Sequence, residues 1–273
     1  MLAPQVNIAA RAAREAGKII RRAAEDVSSI DVQKKGMNDF VTEVDRACEQ
    51  TIIMAIKKSY PDHSILGEES GFTEGSGEGK DWEWVIDPLD GTTNFIHGFP
   101  QYCISIALKH KGRVEHGLIY DPLREEEFSA SRGRGAALNG RRLRVTNLPS
   151  LAGALIGTGF PFRKDQAPHM DAYLAMFKDI ASEAAGLRRP GSAALDLAWL
   201  AAGRMDGFFE LGLSEWDIAA GSLMVTEAGG LIGDIAGGHR HMENGNVVAA
   251  SPKVFKSLLQ KIQPHLTAAL KAK

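Results

Sequence analysis

Apolar residues recur at helical spacing along two N-terminal segments of the chain. In residues 4–25 they fall on one face of a helix, and they are Val6, Ala9, Ala13, Ala16 and Ile20. The same spacing predicts a second amphipathic helix at residues 43–59. That helix should end before Tyr60-Pro61, because a residue that precedes proline avoids the helical region.

Shorter apolar runs predict strands in the next part of the chain. Two of them cover residues 64–67 and 83–87, and two more form a hairpin at residues 103–110 and 114–120. Asn139-Gly140 indicates the turn of a second hairpin. Residues 71–81 are rich in Gly, Ser and Glu, which predicts a mobile surface loop and a candidate lid.

The second half of the chain alternates between the two patterns. Strands are predicted at residues 154–158, 205–211, 231–235 and 246–250. Helices are predicted at residues 168–185, from Ser192 as N-cap to 202, at 216–228 and from 252. Hairpins mixed with helices favour a layered α+β architecture over a doubly wound nucleotide-binding fold. The chain also lacks a Gly-rich phosphate loop followed by Lys-Ser or Lys-Thr.

Composition and charge narrow the class of protein. A chain of 273 residues fits one domain or two subdomains with a shared core. Its net charge of −2 gives no overall basic field for nucleic acid or a membrane, and no run approaches the roughly 18 apolar residues of a membrane span. The distant Cys48 and Cys103 favour reduced, buried thiols and a cytoplasmic location. A local basic cluster is interpreted as hairpin surface or as a docking patch, and consists of Arg132, Arg134, Arg141, Arg142 and Arg144.

The most informative segment runs from Trp84 to Phe95, with the sequence WVIDPLDGTTNF. An apolar strand carries Asp87 to its carboxyl end, and a turn then brings Asp90 close, with the carbonyl of Leu89 between them. These are hard oxygen ligands, which suit Mg²⁺. If a helix starts after Asp90, the amides of Gly91 and Thr92 form an anion site. The alternative interpretation is an Asp-rich turn that only caps a helix.

Two further acidic segments are candidates for the same site. Glu68 and Glu69 follow the strand at 64–67, where they are either a solvated strand end or the source of another metal ligand. Asp217 opens a helix after Ser214, and either stabilises the helix start or reaches a second metal. The pattern alone leaves both choices open.

Several motifs resemble those of the inositol monophosphatase family, especially its bacterial members. The segment at 84–95 resembles the first family signature, and WDIAAGSLMVTEAGG at 216–230 resembles the C-terminal signature. The segments at 67–70, 135–140 and 191–193 also match. The resemblance covers nearly the whole chain and implies a five-layer αβαβα sandwich that forms a homodimer. It divides the single domain into a metal and phosphate half, about residues 1–150, and a substrate half, about 151–273.

The resemblance also implies roles for individual residues. It assigns Mg²⁺, two or three ions per site, to Glu68, Asp87, the Leu89 carbonyl, Asp90 and Asp217. It implies that Asp45, Thr92 and Glu68 orient the attacking water. It places phosphate and alcohol contacts at Leu89, Asp90, Gly91, Thr92, Arg188, Gly191, Ser192, Ala193 and Glu210. A family lysine near the site corresponds to Lys34 or Lys35, and the choice between them stays open.

The implied reaction is hydrolysis of inositol 1-phosphate by metal-activated water, in line and without a phosphoenzyme, with inhibition by Li⁺. Other members of this fold cleave fructose bisphosphate, nucleotide bisphosphates or histidinol phosphate. Bacterial relatives are also associated with the transcription machinery in ribosomal RNA synthesis. A regulatory binding partner of that machinery is therefore the alternative expectation, with phosphatase activity secondary.

Overall fold

The computed structural model describes residues 3–27, 30, 32–36, 39–161, 163–164 and 166–272. For residues 34–36, 39, 40 and 272 it describes the backbone and not the side chains. The choice between Lys34 and Lys35 therefore lies outside the described side chains.

The helices and strands largely follow the hydrophobic pattern. The helices are α1 (Pro4–Ala24), α2 (Glu43–Ser59), α3 (Thr92–Ile96), α4 (Met170–Ala181), α5 (Ala193–Ala201), α6 (Glu215–Glu227), α7 (His241–Asn244), α8 (Pro252–Ile262) and α9 (Ala268–Ala272). The strands are β1 (Val32–Gly36), β2 (Asp39–Thr42), β3 (Ser64–Gly67), β4 (Gly71–Thr73), β5 (Trp82–Asp90), β6 (Cys103–His110), β7 (Arg113–Asp121), β8 (Glu126–Ser131), β9 (Gly135–Leu138), β10 (Arg141–Arg142), β11 (Leu155–Thr158), β12 (Gly186–Arg188), β13 (Gly207–Glu210), β14 (Leu231–Asp234) and β15 (Val247–Ala250).

The strands form two large mixed sheets and one hairpin within the described part of the chain. The first sheet has the order β10-β9-β8-β7-β6-β5-β3-β4, and the second has the order β12-β11-β13-β15-β14. The hairpin pairs β1 with β2. Most neighbours in the first sheet are antiparallel, but β3 and β5 are parallel. The carboxyl ends of β3 and β5 therefore meet at one edge, where the acidic motifs lie.

Helices and sheets alternate in five layers. One buried apolar cluster joins α1 and α2 to the outer face of the first sheet. A second fills the space between the two sheets, where α5 and α6 lie. A third joins the second sheet to α4 and α8. This arrangement confirms the expected layered αβαβα architecture.

The structure corrects the interpretation of residues 71–81 as a mobile loop and lid. Gly71–Thr73 forms β4, which pairs with β3, and Gly77–Asp81 forms a 3₁₀ helix. The segment is held by Ser64, whose Oγ accepts a hydrogen bond from the Gly75 amide at 2.9 Å. Ser64 begins β3, whereas the acidic residues follow its end. Local hydrogen bonds thus order the segment, and its 3₁₀ turn lies away from the acidic cluster.

One expectation about the core is met. Cys48 and Cys103 are buried free thiols. Within the basic cluster, Arg132 donates hydrogen bonds to the Val114 carbonyl, so its guanidinium group has a hydrogen-bond partner within the same chain. In the described ranges, no helix is both long enough and apolar enough to cross a membrane.

Candidate active site

The sheet edge at the end of β3 and β5 places three acidic side chains together. Gly67 pairs with Ile86, and the Glu68 amide donates to the Ile86 carbonyl at 3.1 Å. Regular pairing of β5 with β6 is interrupted between Asp87 and Asp90. This irregularity turns both aspartates toward a cleft that Glu68 also lines. The local sequence pattern therefore delivers these residues to one place.

Asp217 joins this group from the start of α6, 127 positions after Asp90 along the chain. One carboxyl oxygen from each of Asp87, Asp90 and Asp217 lies within 4.8 Å of the others. Asp217 also accepts a hydrogen bond from the Ser214 amide at 2.7 Å. Asp217 therefore takes part in the capping box of its helix and also faces the cluster.

Burial and mutual repulsion disfavour charge on these carboxyl groups. Burial raises the pKa of Asp90 to about 6, against hydrogen bonds from Ser192 and Ala194. Burial, followed by the charge of Asp90, raises the pKa of Asp217 to about 7. The pKa of Asp87 is also raised, by burial first and then by Glu68. A divalent cation would relieve this repulsion, so the donor set fits a hard cation such as Mg²⁺.

Gly91 makes the turn from the aspartates into α3 by adopting a left-handed conformation, with φ of 101°. A Cβ atom there would lie 2.9 Å from the carbonyl oxygen of Gln101, so both conformation and space require glycine. Gly91, Thr92 and Thr93 line the cleft at the first turn of α3. Amides in a first helical turn lack helical partners and are suited to an anion such as phosphate.

Thr92 connects the cleft to a buried carboxyl group on α2. Its Oγ1 lies 3.0 Å from Asp45 Oδ1 and 3.1 Å from the Leu89 carbonyl oxygen. The hydroxyl has one proton and can donate to one of these oxygens at a time. Burial raises the pKa of Asp45, while hydrogen bonds from Thr42 and Thr92 oppose the shift. The expected pairing of Thr92 with Asp45 is present in the structure.

Ser192 has a role that the sequence pattern did not give. It occupies the N-cap position of α5, but its side chain makes no capping hydrogen bond. Its Oγ donates instead to Asp90 Oδ2 at 2.7 Å, and the same oxygen accepts from the Ala194 amide at 2.7 Å. Asp90 thus caps α5 from another part of the chain. Ser192 touches the cluster through Asp90, whereas Gly191 and Ala193 line the cleft.

The cleft is also lined by Glu210 and two arginines, Arg163 and Arg189. Burial raises the pKa of Glu210 to about 8, with Asp217 adding to the shift and Arg189 and Arg163 opposing it. The structure places Arg188 outside the cleft, where its exposed side chain donates to the Leu187 carbonyl. Arg189 lines the cleft in its stead. The sequence offered two adjacent arginines, and only the tertiary structure distinguishes them: Arg188 is the last residue of β12, whereas Arg189 follows it in the segment that leads to α5.

Sequence reasoning missed several cleft residues besides Arg189, namely Arg163, Gln166 and Asn94. Asn94 Nδ2 donates to the carbonyls of Gln101 at 2.7 Å and Pro190 at 2.8 Å, which ties the α3 turn to the segment before α5. Asn94 lies inside the WVIDPLDGTTNF segment at residues 84–95, so this motif could have identified it as a cleft residue. Arg163 and Gln166 lie in a connection without a local pattern, so no sequence signal pointed to them.

The fold and the cleft define a layered α+β protein with a buried carboxylate cluster suited to a divalent cation. The model of the inositol monophosphatase family matches residues 1–268. The chain is 61% identical to Nus factor SuhB of Pseudomonas aeruginosa over 98% of this chain and 99% of that protein. It is 51% identical to Nus factor SuhB of Escherichia coli K12, with the same coverage of both chains.

Solved structures show the same relationship. The extragenic suppressor protein suhB from Bartonella henselae is 39% identical and superposes with a TM-score of 0.93, over 97% of this chain and all of that chain. An inositol monophosphatase from Anabaena is 33% identical, with a TM-score of 0.83 and 96% coverage of each chain. This chain therefore belongs to the inositol monophosphatase family.

Proposed function

We propose that the protein is a Mg²⁺-dependent phosphatase that hydrolyses inositol 1-phosphate to inositol and phosphate in the cytoplasm. The observation that carries this proposal is the cluster of Asp87, Asp90 and Asp217 oxygens within 4.8 Å, next to the hydrogen-bonded pair of Thr92 and Asp45. Family membership supports the same reaction class.

The cation ligands in this proposal are Glu68, Asp87, the Leu89 carbonyl, Asp90 and Asp217. When bound, Mg²⁺ supplies positive charge that polarises the phosphate and makes water a better nucleophile. The ligands hold the reacting groups in place, and the amides of Gly91 and Thr92 donate hydrogen bonds to the phosphate oxygens. We propose that each site binds two or three Mg²⁺ ions.

The chain's own residues handle the water and the alcohol. Thr92 donates a hydrogen bond to Asp45 Oδ1, which leaves a lone pair on Thr92 Oγ1 to accept a hydrogen bond from water. The water oxygen then bonds to phosphorus in line with the ester oxygen, whose bond to phosphorus breaks. Of the two protons of the water, one ends on the departing alcohol oxygen and the other stays on the phosphate. Glu210, Gly191 and Ala193 face the alcohol, and Ser192 holds Asp90. Arg189, rather than Arg188, is the arginine that we assign to the substrate.

Both halves of the chain supply residues to the proposed site. Residues 1–150 supply Asp87, Asp90 and Thr92, and residues 151–273 supply Asp217 and Glu210, so neither part completes the site alone. We propose that the protein works as a homodimer, as the resemblance implies.

The test is phosphate release from inositol 1-phosphate with Mg²⁺, with EDTA, and with Li⁺ added. We expect turnover that needs Mg²⁺, is inhibited by Li⁺ and falls at least about 100-fold in Asp90→Asn, because a cation ligand is lost. Fructose 1,6-bisphosphate and nucleotide bisphosphates are assayed in parallel. Absence of Mg²⁺-dependent turnover on every ester would reject the enzymatic proposal.

A second candidate function is favoured by the relatives named Nus factor SuhB. We propose that the protein also acts as a binding partner of the transcription machinery in ribosomal RNA synthesis. In cells that lack the gene, Asp90→Asn separates the two functions. If this variant restores ribosomal RNA synthesis, binding carries the cellular role; if it fails although it folds and accumulates normally, catalysis carries it.

A further inference from the structure

A buried glutamate on α2 connects this helix to the loop that carries Glu68. Glu49 is 2% exposed. Its Oε2 accepts a hydrogen bond from the Glu69 amide at 2.9 Å, and its Oε1 accepts one from the Ser70 amide at 2.8 Å. These two amides directly follow Glu68, so the backbone on the carboxyl side of Glu68 is fixed by a side chain 19 positions earlier.

The contact is close enough to restrict the neighbouring residue. A Cβ atom on Gly67 would lie 2.5 Å from Glu49 Oε2, so the carboxyl group and the end of β3 fit together only with glycine there. On its other side, the Glu68 amide is bound to the Ile86 carbonyl of β5. The backbone of Glu68 is therefore held between β5 and Glu49.

The same face of α2 also contacts the turn that carries Thr92. Asp45 and Glu49 are four positions apart, which places them one above the other on α2, about 6 Å along the axis. Asp45 receives the hydrogen bond from Thr92, and Glu49 receives those from the Glu68 loop. A rigid helix thus sets the distance between the Thr92 turn and the Glu68 loop.

We propose that Glu49 is a positioning residue that sets cation affinity by holding Glu68 toward the cluster. This inference rests on the proposed function, since it assumes that Glu68 binds a cation. Side chains that orient ligands without touching the metal are known to change affinity 10- to 100-fold when substituted. Glu49 acts through backbone amides and does not line the cleft.

The experiment compares Glu49→Gln with Glu43→Gln. Both substitutions make the same chemical change on the same helix, but Glu43 is exposed. Glutamine at position 49 has one acceptor oxygen and directs an NH₂ group at the second amide, so one hydrogen bond is lost. Binding of Mn²⁺ to the substrate-free protein is measured by electron paramagnetic resonance. We expect about 10-fold weaker binding in Glu49→Gln and wild-type binding in Glu43→Gln.

A kinetic comparison separates positioning from general destabilisation. In Glu49→Gln the Mg²⁺ concentration for half-maximal activity should rise by a similar factor, while KM measured at saturating Mg²⁺ stays within about twofold. Thermal unfolding in EDTA reports the stability of each variant. A lower melting temperature with unchanged Mn²⁺ affinity would overturn the proposal, because Glu49 would then be structural only.

Gly67→Ala provides an independent route if Glu49→Gln does not fold. The added methyl group should shift the Glu49 carboxyl group away from the amides, although the glutamate itself is retained. This variant should therefore also bind Mn²⁺ more weakly. Wild-type affinity in this variant would count against the proposal. Asp90→Asn separates this inference from the proposed function: weak Mn²⁺ binding there with normal binding in Glu49→Gln rejects only the role of Glu49, whereas no Mn²⁺ binding by the wild-type protein rejects both.

Discussion

Asp90 both accepts hydrogen bonds at the start of α5 and belongs to the carboxylate cluster. Its Oδ2 accepts hydrogen bonds from Ser192 and from the first turn of α5, which leaves Oδ1 for the cleft. These donors stabilise the charged form, but burial outweighs them and its pKa rises to about 6. A metal-free protein therefore carries unfavourable charge at this site at neutral pH.

The raised pKa values predict how stability depends on pH and Mg²⁺. The pKa values are about 6 for Asp90, 7 for Asp217 and 8 for Glu210, all above those of ordinary carboxyl groups. The unfolded chain loses these protons near pH 4, so the folded state is relatively most stable below that pH and loses stability as pH rises toward 8. In EDTA, the melting temperature should fall between pH 5 and 8.5.

Mg²⁺ should reverse this loss, because it stabilises the charged carboxylates. We expect the increase in melting temperature caused by Mg²⁺ to be roughly 5 °C larger at pH 8.5 than at pH 5. Differential scanning calorimetry measures it, and Asp90→Asn should show a smaller difference. An equal increase at both pH values would contradict this account.

His63 gives a prediction of opposite sign, away from the cleft. Its Nδ1 accepts a hydrogen bond from Trp84 Nε1 at 3.1 Å, and its ring stacks on Tyr60. Burial lowers the pKa of His63, and Lys57 contributes in the same direction while Asp62 opposes it. The unfolded chain therefore binds the proton more readily, so stability should fall as pH decreases below about 6.5.

His63→Phe keeps an aromatic ring for stacking but removes the acceptor for Trp84. We expect a loss of about 1–2 kcal/mol at pH 7.5, or roughly 3–6 °C in melting temperature. The difference from the wild-type protein should shrink at pH 5.5, because the unfolded wild-type chain then binds a proton at His63 more readily than the folded protein does. Thermal unfolding at the two pH values measures this, and a constant difference would show that Nδ1 is not the group involved.

At the scale of elements, the turn between β5 and α3 depends on Gly91. Gly91→Ala should reduce activity at least about 100-fold and stability by about 1–3 kcal/mol, because the backbone is left-handed and the methyl group meets the Gln101 carbonyl. Gly98→Ala is the matched control, since Gly98 also has positive φ, of 65°, but has open space around its Cβ position. Phosphate release and chemical denaturation distinguish them. Similar effects in both variants would assign the cost to backbone conformation alone.

The structure differs from the sequence prediction in the region of the helix predicted at residues 168–185. The helix predicted at residues 168–185 is shorter, at Met170–Ala181, and β12 follows it unforeseen. A three-residue strand has too little periodicity to be recognised, and it forms because β11 provides a parallel partner. The prediction of a mobile lid at residues 71–81 was wrong for the same reason. Part of this segment pairs with β3 as β4, and composition does not reveal such pairing.

At the scale of the whole molecule, the central helical layer brings the two halves of the site together. α5 starts at the residues that bind Asp90, and α6 carries Asp217 in its first turn. The two helices pack closely, because a Cβ on Gly221 of α6 would lie 2.6 Å from Leu197 Cβ of α5. Glycine at this crossing therefore sets the separation between the two helix starts that supply the site.

Gly221→Ala should push the two helices apart. We expect a loss of about 1–3 kcal/mol from overpacking and weaker Mn²⁺ binding, because Asp217 moves relative to Asp90. Adding Leu197→Gly removes the Cβ atom that the new methyl group meets and should restore part of the Mn²⁺ affinity, although the double variant also loses buried apolar volume and helix propensity. Denaturation and Mn²⁺ titration of both variants test this. Unchanged Mn²⁺ affinity in the single variant would show that helix separation does not control the site.

The sequence by itself determined the amphipathic helices, most strands, the turn at Asp87 to Gly91 and the acidic residues of the site. These follow from local rules, namely side-chain periodicity, proline and glycine backbone preferences, and ligand chemistry. Only the tertiary structure decided which groups meet across distance. Thr92 and Asp45 are 47 positions apart, and Ser192 and Asp90 are 102 apart. Such contacts depend on how the layers pack, and the same packing places Arg189, just after β12, rather than Arg188 in the cleft.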